Sequence, residues 1–443
     1  MAPNEMKVQI SNVGKYRIGY RAGGALENTA ILGSLGKWMS ETKTRTAGSP
    51  VEAARAMRLR KGFSFLDSSM VGPNSVSILA CEPDLIMRGT DWDALEKELA
   101  CRSRAGLDLG YPDGAAIGWV GYDGEFCFSF YEKLHVFTHH NETWTNSPEE
   151  FEAAVPDSAS SALDFRPIVE RREFLEMVSR AKDYIAAGDI YQVCLSHPFV
   201  SSSAGNAWDY YEMLRHYSPA PFGAYIDGGS LQIASASPEC FLRMSGRRIV
   251  TRPIKGTRPR KVDPQSDQLS SYELMTSAKE IAELVMITDL ERNDLGQVCE
   301  YGSVHVPELL HLETYEQVFH LVSSVAGELR NDVNHVQALR ACFPGGSISG
   351  APKKRAKEII RELEPHPRGL YTGALGYFGY NGESQFSMTI RTAIFEKDRA
   401  HFHVGAGIVA DSQPEHEWQE TLTKASGLLL AANPHFRQGM DLG

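Results

Sequence analysis

Short apolar runs alternate with turn residues along the whole chain. Val76-Ser-Ile-Leu-Ala80 and Ala116-Ile-Gly-Trp-Val120 read as strands, and residues 92–101 as a helix. Further on, Phe174, Val178, Ala181 and Ile185 recur at helical spacing, and Gly188 predicts the stop. Strand-like runs follow at 190–195, 222–226, 231–234, 240–244 and 249–254, with hairpin turns predicted at Asp227-Gly-Gly229 and Ser245-Gly246. Helices are predicted over 276–289, with turn material at Arg292-Asn-Asp294, and over 352–363. A hairpin spans 376–394 and turns at Asn381-Gly382, and a last helix spans 414–430. The strands come in clusters rather than in βαβ alternation, which favours α+β with largely antiparallel sheets. Residues 146–167 are rich in Ser, Ala, Pro and acid and read as a linker or long surface loop. The expected organisation is an N-terminal region at 1–165, a catalytic region at 166–432 and a tail at 433–443.

Composition narrows the function. The 443 residues carry 45 Lys+Arg against 56 Asp+Glu, a net charge of −11. Nucleic acid and anionic membrane both call for a positive surface, so neither is an expected partner. No apolar run reaches the 18 or so residues that span a bilayer, and the first residues lack the apolar core of a secretory signal. The 7 cysteines are odd in number and show no CxxC spacing, which fits a reducing cytoplasm rather than a disulfide framework.

Several features could carry chemistry. Glu280 and Glu283 are three apart on one predicted helix, and Glu417 and Glu420 three apart on another, so each pair shares a face. Face to face, they would offer an all-oxygen site suited to Mg²⁺; on spacing alone, two solvated faces are the commoner outcome. Gly345-Gly-Ser-Ile-Ser-Gly350 runs into Pro352 and a helix, with Lys353 and Lys354 nearby. That is an anion cradle or a simple loop and cap, and it is not a Walker A loop. Gly405-Ala-Gly-Ile-Val-Ala410 imitates a dinucleotide fingerprint, but Asp411-Ser-Gln-Pro414 intervenes before any helix, so these glycines more simply allow close backbone approach. Lys255 lies near Arg252, Arg258 and Arg260, and like charges with partial desolvation would lower its amine pKa and make it nucleophilic. Glu239 sits in a sharp connection and is a candidate general acid if buried. His320, within an apolar run, is more often a core residue than a catalyst.

In this order the segments resemble the chorismate-utilising enzymes, from about Arg171 to Ala432. The carrying stretches are Ala187-Gly-Asp-Ile-Tyr-Gln-Val193, Ser237-Pro-Glu239, Pro253-Ile-Lys-Gly-Thr-Arg-Pro259 and Asp289-Leu-Glu-Arg-Asn-Asp-Leu-Gly296. They continue through His320-Leu-Val-Ser323, Phe343-Pro-Gly-Gly-Ser-Ile-Ser-Gly-Ala-Pro-Lys353, Ile390-Arg-Thr392 and Gly405 to Thr421. The resemblance implies a four-layer α/β/β/α fold with two packed antiparallel sheets. It implies that Glu283 and Glu420 hold Mg²⁺ against the ring carboxylate of chorismate, with Glu280 and Glu417 supporting. Tyr371, Arg391, Gly405, Gly407 and Lys424 match positions that hold the substrate's carboxylates, and Thr257, Ser347 and His320 match other active-site positions.

Two positions separate the family's activities. Members that add water carry a base Lys where this chain has Gln192. Anthranilate synthases usually have Ala where this chain has Lys255, whereas aminodeoxychorismate synthases have Lys. The resemblance therefore implies an aminodeoxychorismate synthase, a cytoplasmic transferase of folate synthesis. In that branch the Lys amine attacks C2 of chorismate as the C4 hydroxyl leaves, protonated here by Glu239, and ammonia then expels the lysine by attack at C4. The sequence contains no Cys-His-Glu glutaminase segment, so a separate glutamine amidotransferase is the expected ammonia source. Anthranilate synthase component I is the alternative, and a non-catalytic tryptophan-sensing scaffold a more distant one. Some members bind L-tryptophan in the N-terminal half; the matching stretch, Ser68 to Val76, has Ser75 where an Arg is expected. Cys194 and Gln385-Phe386 also depart from the family pattern at positions expected near the site.

Overall fold

A computed structural model of the chain describes residues 48–72, 75–104, 109–148 and 163–436. Two large sheets carry the fold, and every strand pairing in them is antiparallel. The first is centred on Gln192–Ser201, Ala400–Ile408, Thr392–Phe395, Gln232–Ser237 and Phe222–Asp227, and continues through Ser64–Asp67, Val76–Ala80 and His135–Thr138. The second runs from Ile254–Pro259 through Val318–Glu328, Arg248–Arg252, Cys240–Ser245, Glu383–Met388 and Ala374–Gly379 to Ala115–Val120 and Phe126–Tyr131.

The sheets face each other across a core of Ile78, Ile117, Ile226, Ile233, Leu375 and Ile394, drawn from both. The outer face of the first sheet is covered by the helices Arg171–Ala186, Ala207–Tyr217, Lys353–Leu363 and Pro414–Ala432, whose apolar stripes bury Phe174, Leu214, Ile359 and Leu428. Helices Trp92–Arg102, Ala278–Gly296 and His335–Cys342 cover the second sheet through Leu95, Leu295 and Leu339. The result is helices, sheet, sheet, helices, the α+β architecture expected from the clustered strands. Strands from residues 64–138 lie inside both sheets rather than in a separate body.

Three local expectations fail. Arg292-Asn-Asp294 is not a turn: the helix runs on to Gly296 because Leu295 buries its side chain in the second core. The hairpin expected at 376–394 ends at Met388; the chain then bends through Arg391, at φ 50°, and Thr392–Phe395 joins the other sheet. The run 249–254 is broken by Pro253, which cannot donate to the ladder, into two strands that both pair with Val318–Glu328. Of the linker, residues 149–162 lie outside the described residues, while Arg166–Pro167 pairs with Gln192–Ser201. No described helix is long and apolar enough to cross a membrane.

Candidate active site

The site forms where Ile254–Pro259 meets Val318–Glu328. A register shift between Lys255 and Thr257 falls at Gly256, whose φ of 79° favours glycine. A Cβ there would sit 2.5 Å from Leu274. The bulge re-aims Lys255, and its side chain, 16% exposed, lies 3.9 Å from Glu283 Oε2. Burial alone would lower the Lys255 pKa. The facing Cys194, Glu283, Glu239 and Glu420 outweigh it, and the net shift is upward.

This overturns the expectation of a pKa lowered by neighbouring cations. Arg252 pairs instead with Glu308 and Glu313, Arg258 with Glu280 at 3.7 Å, and Arg260 with Asp267 at 2.9 Å. Side chains alternate along a strand, so sequence neighbours need not share a face.

Glu239 occupies the connection between Gln232–Ser237 and Cys240–Ser245 and is 6% exposed. Ser347 Oγ donates to its Oε1 at 2.6 Å. Burial raises its acid pKa, against the pull of Ser347, Lys255 and Lys424. A buried carboxyl with a raised pKa suits a proton donor. His320 is buried, its Nδ1 2.9 Å from Thr257 Oγ1. Burial first, and Arg391 next, hold it down to about 4, so it is neutral at pH 7.

His320, Arg391 and Lys424 line a cavity of about 190 Å³ with Tyr217, Pro238 and Thr423. Arg391 has its pKa lowered by burial, and among the described residues no carboxylate pairs with it. A partly buried cation without a counter-charge is suited to take up an anion. Lys424 Nζ donates to Gly405 O at 3.0 Å and pairs with Glu420 at 2.7 Å. Gly405 and Gly407 lie in Ala400–Ile408, opposite Ser196 and Cys194. A Cβ on Gly405 would approach Leu195 O to 2.6 Å and the Tyr371 hydroxyl to 2.9 Å; on Gly407 it would approach Gln192 Nε2 to 2.7 Å. The glycines thus serve close approach in a strand, as the failed fingerprint suggested.

The two acidic helix faces do meet. Lys279 Nζ lies 3.9 Å from Glu283 and 3.8 Å from Glu417, bridging Ala278–Gly296 and Pro414–Ala432. Burial raises Glu283, and the neighbouring Glu280 and Glu420 push it further, against Lys255 and Lys279. Glu417 Oε2 is buried with no hydrogen-bond partner among the described residues. The donors are hard oxygens of the kind Mg²⁺ takes, and that orphaned acceptor fits a cation. Among the described residues, however, no three His, Cys, Asp or Glu side chains are gathered as a ready-made metal site.

Two groups of the expected anion cradle at the glycine-rich loop are taken up within the protein. Lys353 is committed to Asp294 and to Cys342 O, and the Gly346 N–H to Glu291 Oε1 at 3.0 Å. Gln385 and Phe386 do not join the site: Phe386 packs against Phe128 and Phe378, and Gln385 lines a second cavity with Asp67 and Ser68. Cys194 does lie at the site, its Sγ 3.5 Å from Ser347 O. In the stretch Ser68 to Val76, residues 73 and 74 lie outside the described residues, and Ser75 Oγ accepts from Gly72 N at 2.7 Å.

Sequence reasoning missed Lys279, and also a buried pair, Arg368 and Glu364. Arg368 donates to Glu364, Cys194 O, Ile348 O and Thr372 Oγ1, and lies over the ring of Tyr122 at 4.7 Å and of Tyr371 at 5.8 Å. Its only sequence signal was i, i+4 spacing from Glu364, which is common on surfaces.

Residues 71–430 match a family described as chorismate binding enzyme. Anthranilate synthase component 1 of Thermus thermophilus is 47% identical over 275 residues, 62% of this chain and 60% of that protein. Aminodeoxychorismate synthase component 1 of Bacillus subtilis is 38% identical over 359 residues, 71% of this chain and 76% of that protein. The chain matches only 60%, 55% and 54% of the length of three anthranilate synthase relatives. The crystal structure of anthranilate synthase component I from Streptococcus pneumoniae superposes with a TM-score of 0.71 at 32% identity, covering 81% of this chain and 93% of that one. With the family match running across both sheets and through every residue of the site, the chain belongs to the chorismate binding enzymes.

Proposed function

We propose that this chain is the catalytic subunit of an aminodeoxychorismate synthase. It would convert chorismate and ammonia to 4-amino-4-deoxychorismate for 4-aminobenzoate and folate synthesis, with a glutamine amidotransferase supplying the ammonia. The observation that carries the reading is Lys255, a primary amine in the middle of the site, facing Glu239 and Glu283.

Lys255 first gives up its ammonium proton, with the facing Glu283 carboxylate 3.9 Å away as the nearest acceptor. The free amine then forms a bond to C2 of chorismate, both double bonds of the ring diene shift, and the C4–O bond breaks. Glu239 gives its proton to the departing oxygen, which leaves as water. Ammonia then bonds to C4 and passes a proton back to Glu239, both double bonds return, and the C2–N bond breaks to restore the Lys255 amine. Arg391 and Lys424 hold substrate carboxylate at the cavity, with Tyr371, Thr257, Gly405 and Gly407 shaping it. His320 contributes as a neutral hydrogen-bonding group. Glu283 and Glu420 would hold Mg²⁺, with Glu280 and Glu417 supporting; when bound, the ion supplies positive charge for the ring carboxylate.

A second reading, anthranilate synthase component I, is favoured by the 47% identity to a protein of that name. Lys255→Ala separates the two. Loss of C4 amination and of any mass adduct on the 255 peptide supports the covalent route; unchanged C4 amination refutes it.

A further inference from the structure

The loop that carries Ser347 rests on a carboxyl that the proposed chemistry leaves unused. Glu291, on the helix Ala278–Gly296, is 2% exposed. Its Oε1 accepts from the Gly346 N–H at 3.0 Å, and Thr251 Oγ1 stands 3.5 Å from its Oε2. The next residue in the loop, Ser347, donates to Glu239 at 2.6 Å. A Cβ on Gly346 would lie 2.5 Å from Leu290 Cδ2 and 3.2 Å from Glu291 Oε1, so the loop is seated directly on the helix. Near the helix end, Asp294 binds Lys353 and thereby ties down the far side of the same loop.

We propose that Glu291 is a positioning residue: by holding the Gly346 N–H it sets Ser347, and through Ser347 the Glu239 carboxyl, against the departing hydroxyl. This rests on the reading of Glu239 as the acid acting on chorismate.

The groups that face Glu291 are Asp294 on its own helix, Lys353 at the start of Lys353–Leu363, Glu239 on the sheet connection and the Cys342 thiol. Burial first, and the charge of Asp294 next, push the Glu291 acid up to about 8, while Lys353 and the Gly346 N–H pull it down. A neutral acid keeps a carbonyl oxygen to accept from Gly346 and adds no charge beside Glu239. Its ionisation at higher pH places a second negative charge near Glu239 and holds back the deprotonation that proton donation requires.

The test uses the full chain with chorismate, Mg²⁺ and ammonium, following chorismate loss across pH. Hydrogen exchange of the peptide covering 343–351 is measured in parallel without substrate. Glu291→Ala should lower kcat about 100-fold with KM within about threefold, the cost of a misplaced group, and should speed exchange in the loop. Glu291→Gln, which still accepts from Gly346, should recover at least tenfold of that loss, keep the loop protected and move the alkaline limb upward. Wild-type kcat and exchange in Glu291→Ala overturn the positioning role. So does a Glu291→Gln enzyme as impaired as the alanine variant, or one with an unmoved alkaline limb. Wild-type turnover in Glu239→Gln instead sinks the acid reading, and the loop exchange tells the two failures apart.

Discussion

Replacing Arg368 with methionine should remove the member of a buried pair that touches the most elements. Both side chains are nearly sealed, at 2% and 4% exposure. The guanidinium ties Glu364 to Cys194 O on one strand, Ile348 O in the Ser347 loop and Thr372 Oγ1 beside Tyr371. Methionine keeps much of the volume, so the loss is electrostatic. Glu364 retains its bonds from Ser196 N and Oγ at 2.8 and 2.9 Å, yet its charge stays buried without a cation. Breaking such a pair costs about 3–5 kcal/mol, and carbonyls left without donors add to that before water enters. We expect a loss of about 4 kcal/mol in urea unfolding followed by tryptophan fluorescence. The double variant Arg368→Met with Glu364→Gln should recover about 2 kcal/mol, because no buried charge is left unpaired. A single-variant loss below about 1 kcal/mol, or a double variant equal to the sum of the singles, refutes the reasoning.

Other expectations follow from the same geometry. Gly405→Ala places a Cβ 2.6 Å from Leu195 O and 2.9 Å from the Tyr371 hydroxyl; overpacking against backbone should cost about 1–3 kcal/mol and raise KM for chorismate, checked by denaturation and steady-state kinetics. Glu417→Gln, at a position proposed to support Mg²⁺, should weaken activation by the ion about 10–100-fold, read from a Mg²⁺ titration of chorismate loss. His197 is buried against Trp418, and burial holds its imidazole down to about 3. The unfolded chain then binds a proton below about 6.5 that the fold refuses, so stability is lost as pH falls from there. At pH 5 the cost is about 2 kcal/mol; His197→Gln should flatten the unfolding midpoint between pH 7 and 5, and an unchanged slope counts against this assignment.

Much of the architecture was legible because sheet and helix leave different periods. Clustered strands with Asp227-Gly-Gly229 and Asn381-Gly382 turns signalled antiparallel pairing, and i, i+3 carboxylates marked the two acidic faces. Termination was harder to read. Arg292-Asn-Asp294 looks like a turn, but burial of Leu295 keeps it helical. The crossing of the chain between sheets at Thr389–Arg391 rests on one residue at positive φ, which leaves no pattern in sequence. Spacing also misjudged charge. Arg252, Arg258 and Arg260 stand close to Lys255 along the chain, yet each is drawn to an acid elsewhere, and the groups around Lys255 come from distant segments. Lys279, Glu291 and Arg368 had no distinguishing sequence signal, because their roles depend on which segments the fold brings to them.

The most direct measurement supplies purified chain with chorismate, Mg²⁺ and ammonium and separates the products by mass and fluorescence. The expected product is 4-amino-4-deoxychorismate, with no release of pyruvate. Anthranilate together with pyruvate would contradict it and assign the Lys255 site to the other branch of the family.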